Sequence, residues 1–594
     1  MSVDYWAGIS RIRLHRRRAL AATGAVSLSA ALLAACGGGS KDSGSKDRSG
    51  LLKDAVDTTA KAEPGGVWQT SSTDALILDP TAANSSGAFA FSVPVYSKLV
   101  KYGLGRNGQY PGPELISGEE ATSWEISPDG AQVTFKLASD HKFDPRPPTN
   151  GRVMTSEDVR WSWDRMAKQS AFRGEIVNSV SPAGPVTSLT APDKNTVVIK
   201  MAYPYGPIIE MLAYYPYLNV MPVEAEDKFN PRSEMRGTGP FRLMEYQPSS
   251  HWLYAKNPDW YGKGRPFLNG IRKTIVSEYA TGMAQFETGA LWDYPLRQED
   301  VLRVKRDHSA LVLQSDADGV GAPQDAWWGF SQKPNSPFRD VRVRRAASMM
   351  LDRDLWIDTY QNLKQFRDQG LPVEALWNSH MRAGQPNWLD PKSNGLGEGA
   401  RFFKHDPAEA RKLVNAAGFD PVKSVIHWHN NGTDKRREEI MQGMFSEGHV
   451  FDLAIDITDY NTTYRDHQVS KGLGYDGISF FMNGGYNEES WLVNMYTPGG
   501  KRAVSDKPIP KISDMVTRTR TELDKAKLGV LIKDIQKELA LEMPNIIFPG
   551  FAIGFTLNWP WLKNYGVFTS GDLEPEWSSS RSYTEYWYDK SLQT

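Results

Sequence analysis

The architecture of this chain is best indicated by residues 337–346, which read PFRDVRVRRA. Asp340 stands at the start of a helix signal, because an aspartate side chain can accept the unpaired N–H groups of a first turn. Apolar residues then recur at the spacing of one helix face, at Val343, Ala346, Ala347, Met350 and Leu351. The segment therefore predicts a capped amphipathic helix that packs against a core.

The rest of the body mixes helix and strand signals. Helices are predicted to start at Thr155 and Asp406, and a third is predicted over residues 525–542, before Pro544. Residues 124–137 predict a hairpin whose Pro-Asp-Gly forms the turn, and alternation predicts a further strand at residues 196–201. The mixture indicates an α/β fold.

Size and charge narrow the possible functions. The chain has 594 residues, and its 69 lysines and arginines nearly balance its 70 aspartates and glutamates. This balance argues against a nucleic-acid surface, which requires a basic patch. About 530 residues remain after the first 60, enough for two or three lobes. The 19 tryptophans fit lobe cores, a cleft lined with rings, or both.

The amino-terminal segment predicts export and lipid attachment. Cys36 is the only cysteine, and residues 33–36, Leu-Ala-Ala-Cys, resemble the bacterial lipobox. An arginine-rich segment precedes an apolar run at residues 19–35, which is short for a membrane span. We therefore expect a signal peptide at residues 1–35, a lipid on Cys36 and a flexible tether at residues 36–60.

Two points about this segment stay open at the level of sequence. The arginines at residues 16–18 also resemble a twin-arginine signal, so either the general or the twin-arginine export route is possible. The alternative to lipidation is a buried cysteine that happens to lie near the start. On the lipid reading, the body is held on the extracytoplasmic face of the cell membrane, in the periplasm or at the cell surface.

Five sequence blocks of the body occur in a characteristic order. They are residues 124–137, 150–159, 237–241, 257–261 and 337–346. In that order they resemble the family 5 extracellular solute-binding proteins of ABC importers, which include oligopeptide- and dipeptide-binding proteins. The likeness extends over nearly all of residues 66–590.

The resemblance implies an α/β, bilobal fold of the periplasmic-binding-protein type (type II, cluster C), with an extra small domain and a hinge between the lobes. Solute would be enclosed by closure about the hinge. The implied divisions are lobe I at residues 61–103, 233–320 and 551–594, lobe II at residues 104–232, and lobe III at residues 321–550.

The resemblance also implies which residues face the cleft. Rings provide rigid contact area and amides orient a solute, although each tryptophan could instead belong to a lobe core. The predicted solute-binding residues are Asn84, Ser85, Ser86, Trp327, Trp328, Trp428, Asn430, Asn483, Gly485, Tyr486, Glu488 and Trp491.

One position departs from the family pattern. Oligopeptide binders of this family carry Ala-Asp-Tyr where this chain has Gly484-Gly485-Tyr486, and the aspartate pairs with the α-ammonium of the peptide. A buried ammonium without a partner would cost several kcal/mol. Either Glu488 or Glu489 supplies the charge from a shifted position, or the solute lacks a free amine and could be a sugar.

Catalytic and cofactor signals are weak. The sequence has no Gly-x-Ser-x-Gly elbow, Walker loop, His-Glu-x-x-His motif or cysteine pair, so we expect no cofactor and no catalytic residue. His427 and His429 alternate on a predicted strand and could hold a metal, but nearby acids complete no obvious set. We expect these histidines to face solvent or the cleft rather than to bind a metal.

The sequence therefore predicts a monomeric, lipid-anchored receptor that captures peptides or peptide-like solutes and delivers them to an ABC permease. Three alternatives remain at this stage. The first is an oligosaccharide-binding member of the same family. The second is a secreted hydrolase that uses cleft carboxylates, and the third is an adhesin or chaperone-like protein.

Overall fold

The computed structural model describes most of the body of the chain. The described residues are 47–74, 77–83, 89–106, 112–316, 324–429, 436–498, 500, 502–552, 554–569 and 581–593. The predicted signal peptide, Cys36 and the first part of the predicted tether, up to residue 46, lie outside these ranges, whereas residues 47–60 of the predicted tether are described. Within them, no helix has both the length and the apolar character needed to cross a bilayer.

The strands are short and spread along the whole chain. In chain order they are β1 (Val67–Ser72), β2 (Val100–Lys101), β3 (Gly105–Arg106), β4 (Ser117–Gly118), β5 (Ala121–Ile126), β6 (Gln132–Leu137), β7 (Val186–Asp193), β8 (Thr196–Met201), β9 (Phe241–Gln247), β10 (His251–Lys256), β11 (Gly270–Ile275), β12 (Val312–Asp316), β13 (Gln324–Phe330), β14 (Ala375–Trp377), β15 (Val422–His429), β16 (Phe451–Thr458), β17 (Ile478–Gly484), β18 (Asn545–Ile547), β19 (Gly550–Ala552), β20 (Gly554–Asn558), β21 (Leu562–Lys563), β22 (Phe568–Thr569) and β23 (Trp587–Tyr588).

The α-helices lie mainly in the second half of the chain. In chain order they are α1 (Ser156–Gln169), α2 (Arg173–Ile176), α3 (Ile208–Ala213), α4 (Tyr279–Glu287), α5 (Gln298–Asp307), α6 (Val341–Met349), α7 (Arg353–Gln361), α8 (Leu363–Asp368), α9 (Pro407–Ala416), α10 (Arg436–Ser446), α11 (Arg465–Val469), α12 (Glu488–Tyr496), α13 (Pro510–Thr519) and α14 (Lys525–Glu542).

The predicted local signals are confirmed where they can be compared. The hairpin of residues 124–137 is formed by β5 and β6, and residues 196–201 form β8. Asp340 accepts the N–H of Arg342 at the start of α6, which ends at Met349. Asp406 caps α9 in the same way through the N–H of Glu409. Short-range capping chemistry thus determines where these elements begin.

Lobe I is built on a four-stranded sheet in the order β1-β11-β10-β9. β1 is parallel to β11, whereas β10 is antiparallel to both of its neighbours. Trp252 on β10 is fully buried between Phe91, at a ring-centroid distance of 4.2 Å, and Tyr246, at 3.8 Å. The core of this lobe therefore combines segments that are far apart in the sequence.

Lobe II is built on an antiparallel sheet in the order β5-β6-β8-β7. Helix α1 packs on this sheet, and a capping box between Thr155 and Asp158 starts the helix. The core of lobe II also includes Phe89 and Tyr102 from the predicted lobe I and the ring of Tyr486 from the predicted lobe III. The second and third lobes are thus in direct contact.

Lobe III is built on a five-stranded sheet in the order β16-β15-β17-β13-β18. β15 is parallel to both β16 and β17, whereas β13 runs antiparallel to β17. As a result, the carboxyl ends of β15, β16 and β17 meet at one edge of the sheet. We call this edge the carboxyl edge; it is marked by His429, Thr458 and Gly484.

A two-stranded ribbon of β12 and β20 connects lobe I to lobe III. The strands are antiparallel from Val312 opposite Asn558 to Asp316 opposite Gly554. The side-chain amide of Gln298 makes two hydrogen bonds to this ribbon. It donates to the carbonyl of Phe555 at 3.1 Å and accepts the N–H of Phe555 at 3.0 Å. The lobe boundaries given above remain a prediction, because buried residues of α4, α5, β12 and β20 also pack into the core of lobe III.

An amino-terminal strap, residues 48–58, runs along this connection. Its first residue donates from its N–H to the carbonyl of Gly370 in lobe III at 2.8 Å. Lys53 donates to the carbonyl of Leu313 on β12 at 2.9 Å. Thr58 then donates to the Oδ1 atom of Asn564 in lobe I at 2.9 Å. The strap therefore touches both lobes and the ribbon between them.

Candidate functional site

The candidate site lies at the carboxyl edge of the lobe III sheet. Solutes of open α/β sheets bind outside the carboxyl ends of the strands, where loops can reach the solute without disturbing the sheet. Here β17 ends at Gly484, and the chain turns through residues 485–487 into α12. This short loop carries two of the predicted site positions, Gly485 and Tyr486, and contacts lobe II.

A capping box fixes the conformation of this loop. Asn487 accepts the N–H of Ser490 on its side-chain oxygen at 2.9 Å, and the hydroxyl of Ser490 accepts the N–H of Asn487 at 3.1 Å. The same hydroxyl accepts the N–H of Tyr486 at 2.9 Å. Ser490 is therefore packed directly beneath the loop.

This packing explains the glycine at position 485. A Cβ atom on Gly485 would lie 2.3 Å from the hydroxyl oxygen of Ser490 and 2.9 Å from the backbone nitrogen of Trp491. Real Cβ atoms are not found so close to other heavy atoms, so the loop in this conformation has no room for an aspartate side chain. The glycine that stands at position 485 in place of the family's aspartate is thus explained by the serine at position 490.

Tyr486 inserts from this loop into lobe II. Its ring centroid lies 6.0 Å from those of Tyr214 and Tyr217. Its carbonyl accepts the hydroxyl of Tyr102 at 3.0 Å, and its hydroxyl is hydrogen-bonded to that of Tyr205. The predicted site residue Tyr486 is therefore buried at the contact between two lobes, in a pocket made of tyrosines.

Glu489 and Arg520 extend this contact on the lobe III side. The hydroxyl of Tyr205 donates to Oε2 of Glu489 at 3.1 Å, and Nε of Arg520 lies 3.6 Å from Oε1 of Glu489. The Arg520 guanidinium also lies 5.1 Å from the centroid of the Tyr205 ring. Burial raises the pKa of Glu489, and the nearby Arg520 opposes that rise.

Glu210 approaches the same loop from lobe II. Its carboxylate accepts the side-chain N–H of Asn487 at 2.6 Å. Burial raises the pKa of Glu210 to about 7, while the Asn487 hydrogen bond and Lys525 oppose the rise and the charges of Glu489 and Glu114 add to it. The charge of this carboxyl group therefore changes near neutral pH.

Glu488 has a different position from the one expected of an ammonium-binding acid. Its two carboxylate oxygens accept the backbone N–H of Asn387 at 2.7 Å and the side-chain amide of Asn387 at 2.6 Å. Burial raises the pKa of Glu488, and these hydrogen bonds oppose that rise. Glu488 thus holds a loop within lobe III, whereas Glu489 is the acid that meets lobe II.

A small cavity of about 20 Å³ lies at the contact between the lobes. Its polar lining includes Glu175 from lobe II and Ser490, Asn494 and Arg520 from lobe III. Its size suits roughly one water molecule, and its polar groups suit a bridging one. The contact is therefore polar and closely packed around Tyr486.

The four predicted tryptophans lie in the cores of lobe III. Trp328 is fully buried, and Trp327 packs against Phe481 at a centroid distance of 4.7 Å. Trp428 stacks on His429 at 4.1 Å. Trp491 is also buried, and its indole N–H donates to the carbonyl of His380 at 3.0 Å. These positions favour a supporting role for the tryptophans, and direct contact with a solute remains a prediction.

The other predicted solute-binding residues are described only in part or not at all. Asn84, Ser85, Ser86 and Asn430 lie outside the described residues. Asn483 is described as part of β17, where it pairs with Asp325, but its side chain is not described. Their role in binding stays a prediction.

The two histidines of β15 have separate surroundings. Nδ1 of His427 lies 2.9 Å from Asp456, and Nε2 lies 2.9 Å from the carbonyl of Asp476, which corrects the expectation that this residue faces solvent or the cleft. His429 packs between Trp428 and Tyr464, and burial lowers its pKa to about 4. In the part of the chain that the structure describes, no three potential ligands cluster as a metal site.

Sequence reasoning missed the lobe II side of this contact. The segments Tyr203-Pro-Tyr205 and Tyr214-Tyr215-Pro-Tyr217 concentrate five tyrosines within fifteen positions, which was the available signal. Glu210 lies between the two segments. Arg520 follows α13, and the sequence gives no local indication that it approaches Tyr205.

Comparisons with known proteins cover most of the chain. The family model described as "Bacterial extracellular solute-binding proteins, family 5 Middle" matches residues 116–501. The dipeptide-binding protein of Escherichia coli (strain K12) is 25% identical over 356 residues, 57% of this chain and 60% of that protein. The oligopeptide-binding protein OppA of Bacillus subtilis (strain 168) is 22% identical over 551 residues, 86% of this chain and 90% of that protein.

Solved structures agree with the architecture. The periplasmic binding protein DppA of Helicobacter pylori, in complex with the peptide STSA, has a TM-score of 0.70 at 17% identity and covers 89% of this chain and 99% of its own. AgaA of A. tumefaciens R10, in complex with agropinic acid, has a TM-score of 0.69 at 20% identity and covers 88% and 98%. The predicted α/β fold of the periplasmic-binding-protein type is confirmed.

Proposed function

Because the chain belongs to the family 5 bacterial extracellular solute-binding proteins, we propose that it is a receptor that captures a peptide or peptide-like solute and delivers it to an ABC importer. The observation that carries this proposal is the contact of the loop at residues 485–487 with lobe II. It brings the carboxyl edge of lobe III against a second lobe, which is the arrangement needed to enclose a solute. The protein works by binding and release, and neither makes nor breaks a covalent bond.

The peptide assignment is supported by the relatives. The Escherichia coli and Bacillus subtilis relatives are a dipeptide-binding and an oligopeptide-binding protein. The Helicobacter pylori structure contains a four-residue peptide. A peptide backbone offers hydrogen-bonding groups at regular intervals, and such groups suit the amide and hydroxyl side chains predicted near the cleft.

Capture depends on a difference in affinity between two arrangements of the lobes. The ribbon of β12 and β20 is the connection about which lobe III would rotate, as a hinge formed by a few element-terminal residues. A solute that contacts both sides of the cleft binds the closed arrangement more tightly and shifts the population toward it. Opening at the permease would reverse the shift and release the solute unchanged.

We further propose that Cys36 carries the lipid that holds the receptor at the membrane. The support is the lipobox-like sequence before it and the Gly- and Ser-rich segment after it. One acyl chain binds a bilayer only marginally, whereas several chains together anchor firmly. The receptor would then work as a monomer on the extracytoplasmic face.

A second candidate solute lacks a free amine. The crowding between Gly485 and Ser490 favours it, because the loop cannot carry the aspartate that pairs with a peptide ammonium in this family. The AgaA structure contains agropinic acid, so the fold is compatible with a non-peptide solute. A sugar-like or modified amino-acid solute would suit a cleft without that acid.

Native mass spectrometry of the purified full chain tests both candidates. A mixture of retained peptide masses is the result expected for the first candidate, and a single hexose-based or amino-acid-derived mass is expected for the second. Recovered solute is then returned to the protein during scattering measurements. The radius of gyration should decrease on binding, and the solute should be recovered at its original mass. A solute that is cleaved during incubation would overturn the receptor proposal.

A further inference from the structure

We propose that Tyr205, Glu489 and Arg520 form a latch that holds lobe II against lobe III around Tyr486. They are positioning residues, since they act on the solute through the closed arrangement of the lobes. The link to solute affinity rests on the proposed function, whereas the latch itself does not.

The first step is the placement of the Tyr205 hydroxyl. It donates to Glu489 at 3.1 Å and shares a second hydrogen bond with the hydroxyl of Tyr486. Both partners belong to the lobe III side, while Tyr205 belongs to lobe II and is fully buried. Both hydrogen bonds of this hydroxyl therefore cross the contact between the lobes.

The second step concerns the charged pair. Glu489 is 2% exposed and Arg520 is 9% exposed, so both are largely removed from water. The Arg520 guanidinium lies 5.8 Å from the Tyr203 ring and 5.1 Å from the Tyr205 ring, both on lobe II. A cation over an aromatic face gains more when the pair is desolvated. The Arg520 contacts therefore favour the arrangement in which the lobes touch.

The third step is that these contacts exist in only one arrangement. Separating the lobes breaks the Tyr205–Glu489 and Tyr205–Tyr486 hydrogen bonds and removes Arg520 from both rings. Contacts that form in only one of two states lower the free energy of that state and leave the other unchanged. The latch therefore contributes to the closed population independently of the solute's own contacts.

The consequence for binding is quantitative. When only the closed state holds solute firmly, the apparent dissociation constant equals the intrinsic constant divided by the closed fraction. Loosening the latch should therefore weaken binding of every solute by a similar factor. The effect should appear mainly as faster dissociation, because affinity changes within one interface lie mostly in the dissociation rate.

The test measures the distance between the lobes in the full chain without added solute. Spin labels are attached through Val180→Cys on lobe II and Val530→Cys on lobe III, which are 46% and 61% exposed. Cys36→Ser removes the native thiol. Because Tyr205→Phe removes the hydrogen bond to Glu489, it should raise the ratio of the long-distance to the short-distance population about tenfold or more.

Tyr496→Phe is the matched control. Tyr496 is a buried tyrosine of lobe III, and its hydroxyl donates to the side-chain oxygen of Asn545 in the same lobe at 3.1 Å. Its loss should leave the distance distribution like that of the parent. A distribution unchanged in both Tyr205→Phe and Glu489→Gln, with thermal unfolding showing that each variant is folded, would overturn the latch.

A double-mutant cycle gives a second, independent measure. The effects of Tyr205→Phe and Glu489→Gln on the free-energy difference between the open and closed states should be less than additive, because Tyr205→Phe removes the hydrogen bond that joins these residues and Glu489→Gln removes the charge of its acceptor. The effects of Tyr205→Phe and Tyr496→Phe should add. Additivity in the first pair would contradict a shared latch. The apparent dissociation constant of the solute recovered from the parent should rise in Tyr205→Phe by the same factor by which the measured closed fraction falls; if no solute binds the parent, the proposed function fails while the distance result still decides the latch.

Discussion

At the scale of single residues, Gly485 shows how one hydroxyl can decide the chemistry of a loop. Ser490 accepts two loop N–H groups, and its oxygen occupies the space that a side chain at position 485 would need. The sequence alone showed glycine where the family pattern has aspartate but offered no cause. The cause is the contact with Ser490, five residues further along the chain, which depends on the helix cap and cannot be inferred from residue 485 alone.

Substitution of this glycine tests the explanation. We expect Gly485→Asp to destabilise the protein by about 1–3 kcal/mol, as overpacking does, and to create no new affinity for amines. Urea unfolding measures the first effect and titration with a dipeptide measures the second. The control is Gly443→Ala in α10, where an added Cβ meets nothing within 4 Å. A Gly485→Asp variant as stable as the parent would contradict the crowding argument.

Glu210 should make stability depend on pH. Its folded pKa is raised to about 7, mainly by burial, above the ordinary value of 4.5. Between pH 4.5 and 7 the folded state binds a proton that the unfolded state lacks, so this group's contribution to stability falls as the pH rises through that window. Above pH 7 the charged and buried carboxylate is least favourable.

Glu210→Gln should therefore gain stability relative to the parent as the pH rises. The difference in unfolding free energy between variant and parent should increase from pH 4.5 to pH 7 by at most about 3 kcal/mol. Denaturant unfolding at pH 4.5, 6, 7 and 8 measures it. A difference that stays constant across these four values would show that Asn487 and Lys525 already compensate the charge.

At the scale of elements, the helix caps could be predicted from the sequence, whereas the side-chain contacts between the lobes could not. Asp340, Asp406 and Thr155 act on N–H groups within three residues, so sequence spacing suffices to identify them. Tyr205 and Glu489 are 284 residues apart, and their contact depends on how two lobes meet. Long-range contacts of this kind leave no local pattern in a single sequence.

The cap of α12 should matter more than an ordinary helix cap. Asn487 accepts the N–H of Ser490 and also donates to Glu210 across the lobe contact. Asn487→Ala should lose about 1 kcal/mol for the cap and an additional amount for the buried carboxylate left without this donor. Asp524→Ala, which removes a cap from α14, is the control and should cost about 1 kcal/mol only.

Urea unfolding and solute binding together distinguish the two caps. Asn487→Ala should lower both the unfolding free energy and the affinity for the recovered solute, because its side chain joins lobe II to lobe III. Asp524→Ala should lower only the unfolding free energy. Equal effects of the two substitutions on affinity would mean that the Asn487–Glu210 contact has no part in closure.

At the scale of the whole molecule, the order of the sequence blocks predicted the family and the α/β architecture. The blocks are hairpin turns, caps and glycine turns, which are local and therefore readable. The predicted tryptophan cleft was less informative, because Trp328 and Trp491 are large enough to fill a core as well as a cleft. The contact between the lobes is formed instead by tyrosines, whose rings are buried while their hydroxyls make hydrogen bonds.

The membrane attachment can be tested on the intact protein. We expect Cys36→Ser to move the protein from the membrane fraction to the soluble fraction, since the acyl chains supply the affinity for the bilayer. Mass spectrometry of the parent should show the added lipid on Cys36. Solute binding by the Cys36→Ser variant should equal that of the parent, because Cys36 precedes the described body. Membrane association that persists in this variant would exclude the cysteine as the anchor.

The strap at residues 48–58 has a mechanical consequence. It crosses from Gly370 past Leu313 on β12 to Asn564, and so follows the line about which the lobes would turn. A point close to a rotation axis is displaced very little, since displacement is the product of radius and angle. For a receptor held through Cys36, opening and closing would then exert almost no pull on the anchor. The membrane anchor would therefore not oppose the movement of the lobes.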